Sequence, residues 1–243
     1  MRISILTLFP DMFEGFKQSS IIARALNSDK ASIEIINIRD FTKEKHGHVD
    51  DTPYGGGAGM IMKVQPVLDA LNSIRTKDSY VILTSAIGER FKQQMARRYV
   101  SNISHLIIIC GHYEGIDYRI NQYVDQLVSI GDFILTGGEL VAMMISDACI
   151  RLVEGVILKE SHLDESFENG LLEYPQYTKP YCYDNQCVPD ILLSGHHENI
   201  RKYRLKESLR TTYLHRKDLL EQKVLNKEER LLLQEIEDEL ETN

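Results

Sequence analysis

The stretch HLIIICGHYEGIDYR, residues 105–119, decides how the chain is read. Its first part is a short, unbroken apolar run. Its second part opens into a polar turn carrying two glycines. A run that never alternates leaves no face for water, so it predicts a strand buried on both sides, as in a parallel sheet. Two similar runs flank it, YVILTS (80–85) and QLVSI (126–130). Each of the three leads into a glycine-bearing loop: TSAIGERF (84–91), CGHYEGIDYR (110–119) and IGDFILTGGEL (130–140). Upstream, RISILTLF (2–9) and SIEIINI (32–38) predict two more strands. Asp11 is placed to cap a helix reaching about Leu26. A second helix is expected over about Gln65 to Ile74, with Val67, Leu68, Leu71 and Ile74 on one face. GGELVAMMISDACIRLV (137–153) closes this half as an apolar helix. The pattern predicts an α/β layered domain over residues 1–160.

Beyond it the pattern changes. DESFENGLLEYPQYTKP (164–180) carries Asp164, Glu165, Glu168 and Glu173 and then two prolines, with almost no periodicity. It reads as a connector, residues 161–188, and connectors on a rigid scaffold often carry functional groups. From residue 189 to 243 only helices are expected. HENIRKYRLKESLRTTYL is one, and NKEERLLLQEIEDEL is another, with Asn226 as cap and Glu229 completing a capping box.

The 243-residue chain has a net charge of −8, which argues against non-specific nucleic-acid binding by bulk charge. The charge is uneven, however. His196 to Lys217 holds seven Lys/Arg against two acids, and Asp218 to Asn243 holds nine acids against three bases. A basic segment is therefore hidden in an acidic total, and it is either a solvated helix face or a footprint for a polyanion. No apolar run is long enough to span a bilayer and the N-terminus lacks a secretory pattern, so a cytoplasmic protein is expected. Cys110 and Cys149 lie in apolar runs and read as buried thiols. Cys182 and Cys187 have no second pair to complete a zinc set, and His46 and His48 near Asp50 and Asp51 read as a polar loop, so no metal site is assigned.

The three glycine loops carry the chemistry. Ligands of open parallel sheets bind at the carboxyl ends of the strands, where glycine permits a sharp turn and a close backbone approach. No G-x-G-x-x-G follows the first strand and no phosphate-binding G-x-x-x-x-G-K-[ST] occurs, which argues against a nicotinamide dehydrogenase. No Lys or Arg stands at the glycines to meet a pyrophosphate. A neutral or cationic adenosine-type ligand fits better, and Glu114, Asp132 and Glu139 suit a positive one, although Asp132 and Glu139 equally suit a helix start.

Taken together, LFPDMF (8–13), PYGGGAGM (53–60), CGHYEGID (110–117), GDFILTGGEL (131–140), SFENGLLEYPQYTKP (166–180) and LLSGHHENIRKYRLKESL (192–209) resemble, in order, the motifs of the bacterial tRNA (guanine-N1)-methyltransferase family, a SPOUT-class family. The resemblance covers nearly the whole chain. It implies an α/β fold whose SPOUT-type parallel sheet carries a deep trefoil knot, followed by a small all-helical domain that binds tRNA. It implies a homodimer with composite sites that methylates N1 of the guanine at position 37, 3′ of the anticodon. The implied donor is S-adenosylmethionine, touching Ser85, Gly88, Gly111, Tyr113 and Glu114, then Ile130, Gly131, Phe133, Leu135, Gly137 and Gly138. Mg²⁺ is also raised by the resemblance, without a ligand cluster to identify its site.

Guanine N1 carries a proton, so its methylation needs a base, and a carboxylate on a connector able to close over a flipped guanine can serve. Where the family has aspartate before SF, this chain has Glu165, with Asp164 one residue earlier. Either Glu165 acts from the family register or Asp164 takes over after a one-residue shift. Arg151 matches a family arginine implicated in catalysis and suits charge developing on O6. Arg201, Lys202 and Arg204 are the expected RNA contacts. Ala58 and Ala86 stand where the family uses proline, and His112 where many members carry arginine. The alternatives are a SPOUT ribose 2′-O-methyltransferase and a non-catalytic RNA-binding module.

Overall fold

The computed structural model describes residues 1–158 and 165–242. The chain forms two compact units, dividing at residue 159. In the first, β1 (Arg2–Thr7) and β2 (Ser32–Asn37) precede a small antiparallel pair, β3 (Asp50–Asp51) and β4 (Ile61–Met62). Then come β5 (Ser79–Arg90), β6 (His105–Ile109) and β7 (Gln126–Ser129). The five longer strands make one parallel sheet in the order β2-β1-β6-β5-β7.

Central β6 is buried at every position. Its side chains alternate between two cores. Leu106 and Ile108 join Ile3 and Ile5 on one face, covered by α2 (Ser20–Asn27), α4 (Gln93–Asn102) and α5 (Glu139–Ile150). Ile107 and Ile109 join Leu6, Val81 and Leu83 on the other, covered by α3 (Val64–Ile74). Each fully buried aliphatic side chain of this kind contributes about 1.5–3 kcal/mol.

Two expectations about this unit need correction. The helix expected from Asp11 to Leu26 is broken into a 3₁₀ turn (Pro10–Phe13), one turn of α1 (Glu14–Lys17) and α2. At the break the Ser19 hydroxyl donates to the Gly15 carbonyl, and Ser20 sits at φ +46°. A serine that bonds its own backbone competes with helix continuation. The loop expected to end the third long strand is instead an excursion within it. Val128 of β7 faces Thr84 and then Glu89, so residues 85–88 swing out of the ladder and β5 resumes.

The route after β7 sets up the site. Residues 130–138 return across the ends of β5 and β6. The Gly138 amide donates to the Gly111 carbonyl at 2.8 Å, and the buried Glu139 carboxylate accepts from Thr7 Oγ1 at 2.8 Å. The chain enters α5 directly from this crossing.

The second unit contains a hairpin, β8 (Cys182–Tyr183) and β9 (Gln186–Cys187), then α6 (His197–His215), α7 (Lys217–Gln222) and α8 (Lys227–Glu241). Cys182 and Cys187 form a disulfide across the hairpin, a pairing that the zinc-spacing argument did not consider. Asn226 and Glu229 make the expected capping box at the start of α8. Leu171, Leu209 and Ile236 form a small core. Ser208 and Thr212 of α6 are also buried. Burial is tolerated at Thr212 because its hydroxyl donates to the Ser208 carbonyl and accepts from the Leu172 amide.

Candidate active site

At the carboxyl ends of β5, β6 and β7 lies a cavity of about 570 Å³. Ser85, Gly111, Tyr113, Glu114, Ile130, Gly131, Phe133, Leu135, Gly137 and Gly138 all line it. Gly88, the remaining expected donor contact, does not. It packs on β7 instead, and a Cβ there would lie 2.5 Å from the Leu127 carbonyl carbon and 2.6 Å from that of Val128. The missing side chain lets β7 pair closely with β5 at the excursion.

Glycine at 138 has a different cause. An added Cβ would collide with Thr84 Oγ1 and lie 2.9 Å from the Cys110 Cα and 3.0 Å from the Gly111 nitrogen. Three chain segments meet there, two of them backbone to backbone and the third through the Thr84 hydroxyl. The cavity is lined by glycines, by apolar residues such as Ile130, Leu135 and Val141, and by polar ones such as Ser85 and Glu114. Thr136, Tyr118 and Asn121 also line it, and sequence reading missed them. Tyr118 and Asn121 belong to a 3₁₀ segment (Tyr118–Tyr123) whose polar composition gave no signal.

The PYGGGAGM loop braces this wall. Met62 donates to the Gly115 carbonyl and Glu114 donates to that of Met60. Gly59 lies so close to Glu114 that a Cβ would meet its Oε1 at 2.7 Å. Tyr113 is held at φ +57°, and its hydroxyl accepts from Arg39 at 3.4 Å. A non-glycine residue in that conformation is a constraint typical of ligand loops.

Of the acids expected to face a cationic ligand, Glu114 alone lines the cavity. Asp132 pairs with Arg90 at 2.9 Å, and Glu139 is buried against Thr7. His112 stacks on Phe9 at 4.6 Å between ring centres, and its Nδ1 is buried without a hydrogen-bond partner. Burial raises the Cys110 thiol well above its ordinary range and that of Cys149 to about 12, so neither is a nucleophile. Arg151 is the half-buried C-cap of α5 and does not line the cavity.

Asp164 lies outside the described residues. Glu165 lines a second cavity, of about 450 Å³, within the helical unit, together with His197, Arg201, Arg204 and Lys223. Residues 165–174 are therefore no free connector: they are packed on the helices. The Leu172 amide donates to Thr212 Oγ1 at 2.9 Å, and the Arg204 guanidinium lies 4.9 Å above the Tyr174 ring.

The basic face of α6 is also partly spoken for. Arg201 pairs with Glu198 and Glu228, Lys206 with Glu235 and Glu239, and Arg210 with Glu207 and Glu239. The acidic C-terminal segment is thus not a separate tail but a helix laid along the basic one. Lys202 lies 4.0 Å from Glu198. Among the described residues no three His, Cys, Asp or Glu side chains converge to hold a metal ion, and no helix is long and apolar enough to cross a membrane.

A family model described as tRNA (Guanine-1)-methyltransferase TrmD matches residues 1–222. A protein of Ureaplasma urealyticum serovar 10 named tRNA (guanine-N(1)-)-methyltransferase is 53% identical over 226 residues, which is 93% of this chain and 99% of that protein. One of Streptococcus uberis with the same name is 52% identical over 99% of this chain and 100% of its own length. One of Acholeplasma laidlawii, again so named, is 49% identical over the full length of both.

Proposed function

Because this chain belongs to the tRNA (guanine-1)-methyltransferase family, and so transfers a methyl group to N1 of guanine in tRNA, we propose that its donor is S-adenosylmethionine held in the glycine-lined cavity and that Glu165 is its base. Family membership decides against ribose methylation and against a non-catalytic module.

The observation that carries the donor assignment is the close meeting of Gly138 with the backbone of Cys110 and Gly111 and with the Thr84 side chain. The cavity there is lined by glycines and by apolar and uncharged polar residues, with Glu114 as its one acidic lining group from the glycine loops. An adenine fits such a wall through main-chain hydrogen bonds, and a sulfonium fits one carboxylate without a counter-cation. S-adenosylmethionine, when bound, supplies an electrophilic methyl. Ser85, Gly111, Tyr113, Ile130, Gly131, Phe133, Leu135, Gly137 and Gly138 hold and orient it. The return of residues 130–138 across the ends of β5 and β6 also supports the deep trefoil knot.

The chain's own groups do the rest. The Glu165 carboxylate accepts the proton from guanine N1, which frees the ring nitrogen to attack. Arg151 offsets negative charge on O6. Asp164 is the alternative base. Lys202 and Arg204, with Arg201 in a lesser part, grip the tRNA backbone from residues 189–243. The target is the guanine at position 37, in the cytoplasm, and a homodimer completes each site.

Incubating the protein with labelled S-adenosylmethionine and tRNA, then digesting to nucleosides, tests the reading. Label in 1-methylguanosine supports it, and donor binding without any labelled tRNA refutes it.

A further inference from the structure

We propose that Lys223 is a positioning residue for the base: it locks the loop that carries Glu165 onto the helical unit. The inference rests on the reading of Glu165 as the base and deepens it.

The loop is closed on itself. Phe167 donates to the Leu171 carbonyl at 2.8 Å, Glu173 to Ser166 Oγ at 3.0 Å, and Glu168 to the Glu165 carbonyl at 3.2 Å. Phe167 and Gly170 both take positive φ, +75° and +74°, to make the turns. Such a loop has one shape to offer, and what matters is how it is attached.

Some attachments are buried or aromatic: Leu171 in the small core, Leu172 on Thr212, Phe167 under Arg216 at 5.7 Å and Tyr174 under Arg204 at 4.9 Å. Another is ionic. Lys223 Nζ donates to the Asn169 carbonyl at 2.6 Å and pairs with Glu229 at 3.3 Å. Glu229 is itself buried and fixed by the capping box of α8, where it accepts from the Asn226 amide at 2.8 Å. The lysine stem lies along Gly170, whose missing side chain leaves room for it; a Cβ there would touch Lys223 Cδ at 3.5 Å.

A rigid line of contacts therefore runs from the first turn of α8 through Glu229, Lys223 and the Asn169 carbonyl to the loop that presents Glu165. The Lys223 ammonium bonds the loop at a main-chain carbonyl, and its side chain is 18% exposed. Removing its ammonium leaves the Leu171 core and the Thr212 bond in place. The expected effect falls on where Glu165 points, not on whether the unit folds. A carboxylate misplaced by about 1 Å loses up to about 10²-fold in rate.

The test uses the full chain with tRNA and S-adenosylmethionine. Lys223→Met keeps the stem and removes the charge. Its single-turnover rate at saturating tRNA is expected to fall about 10- to 100-fold, with tRNA affinity near wild type and a thermal midpoint lowered by the unpaired Glu229 but still well above the assay temperature. Lys223→Arg should restore most of the rate. In the Glu165→Gln background, Lys223→Met should cost nothing further, because it acts only through Glu165. A wild-type rate in Lys223→Met, an equal loss of tRNA affinity or folding, or losses that multiply in the double variant would each overturn the proposal. If Glu165→Gln alone keeps the wild-type rate, the base assignment itself fails, which is a separate result.

Discussion

The amide of Gly138 donates to the carbonyl of Gly111 at 2.8 Å, and the space its missing side chain leaves is filled by Thr84 and Cys110. Three loops from three strands share one point. Any side chain at 138 must push backbone apart, because two of the three neighbours are main-chain atoms. Gly138→Ala is expected to destabilise the sheet unit by about 1–3 kcal/mol and to weaken S-adenosylmethionine binding about tenfold or more. Calorimetric titration and a thermal melt check both. Wild-type donor affinity would show that the cavity lies elsewhere.

Glu165 and Asp164 are separable. Asp164→Asn should keep the single-turnover rate within about twofold, and Glu165→Asp should keep most of it, since the two acids have similar intrinsic basicity. A collapse in Asp164→Asn with a normal Glu165→Asp rate would move the base to Asp164.

Arg201 is held by Glu198 and Glu228, whereas Arg204 lies over Tyr174. Neutralising Lys202 and Arg204 together should therefore weaken tRNA binding and flatten its salt dependence by roughly 0.7 to 0.9 per lost phosphate contact. Arg201→Ala should change the slope less than either. Affinity measured across a salt series decides this, and an Arg201 effect larger than the other two would contradict it.

Hydrogen bonds and charge from Arg210 and Lys206 hold the Glu239 carboxyl down to about 2. A carboxylate depressed on folding stabilises the protein above its unfolded pKa, about 4.3, and that contribution drains away as pH falls toward 2. Wild-type protein should be more stable than Glu239→Gln at pH 6, with the gap closing between about pH 4.5 and pH 2. Glu239 is solvent-exposed, so high salt should shrink the gap. Urea melts of the two proteins across that range test the sign, and a gap that widens on acidification would contradict it.

The sheet was legible because its strands announce burial on both faces: Leu106 to Ile109 has no polar position to misplace. The cavity was legible for a related reason, since close backbone approach requires glycine at 138, and Gly111 and Gly137 stand in the same loops. The packing reason for Gly88 was not legible, because its neighbour, Val128, lies far away in sequence and meets it only once β7 is paired. Residues 165–174 looked free for the same cause. Their anchors, Leu209, Thr212 and Lys223, are about 40 or more residues downstream, and no local periodicity records such contacts. Charge counting found the basic helix but not its neutralisation, which depends on α8 lying against α6. The Cys182–Cys187 pair depends on a tight turn at Asp184 and Asn185, both at positive φ, that brings the two strands together.

The claim that a carboxylate at 165 takes the proton from a guanine ring nitrogen is tested most directly by one single-turnover experiment. Wild-type protein and Glu165→Gln, each saturated with tRNA, receive labelled donor, and the product is digested and identified. The account predicts 1-methylguanosine from the wild type and a rate about 10²–10⁴-fold lower from the variant, with donor and tRNA affinities unchanged. Equal rates from the two proteins would contradict it.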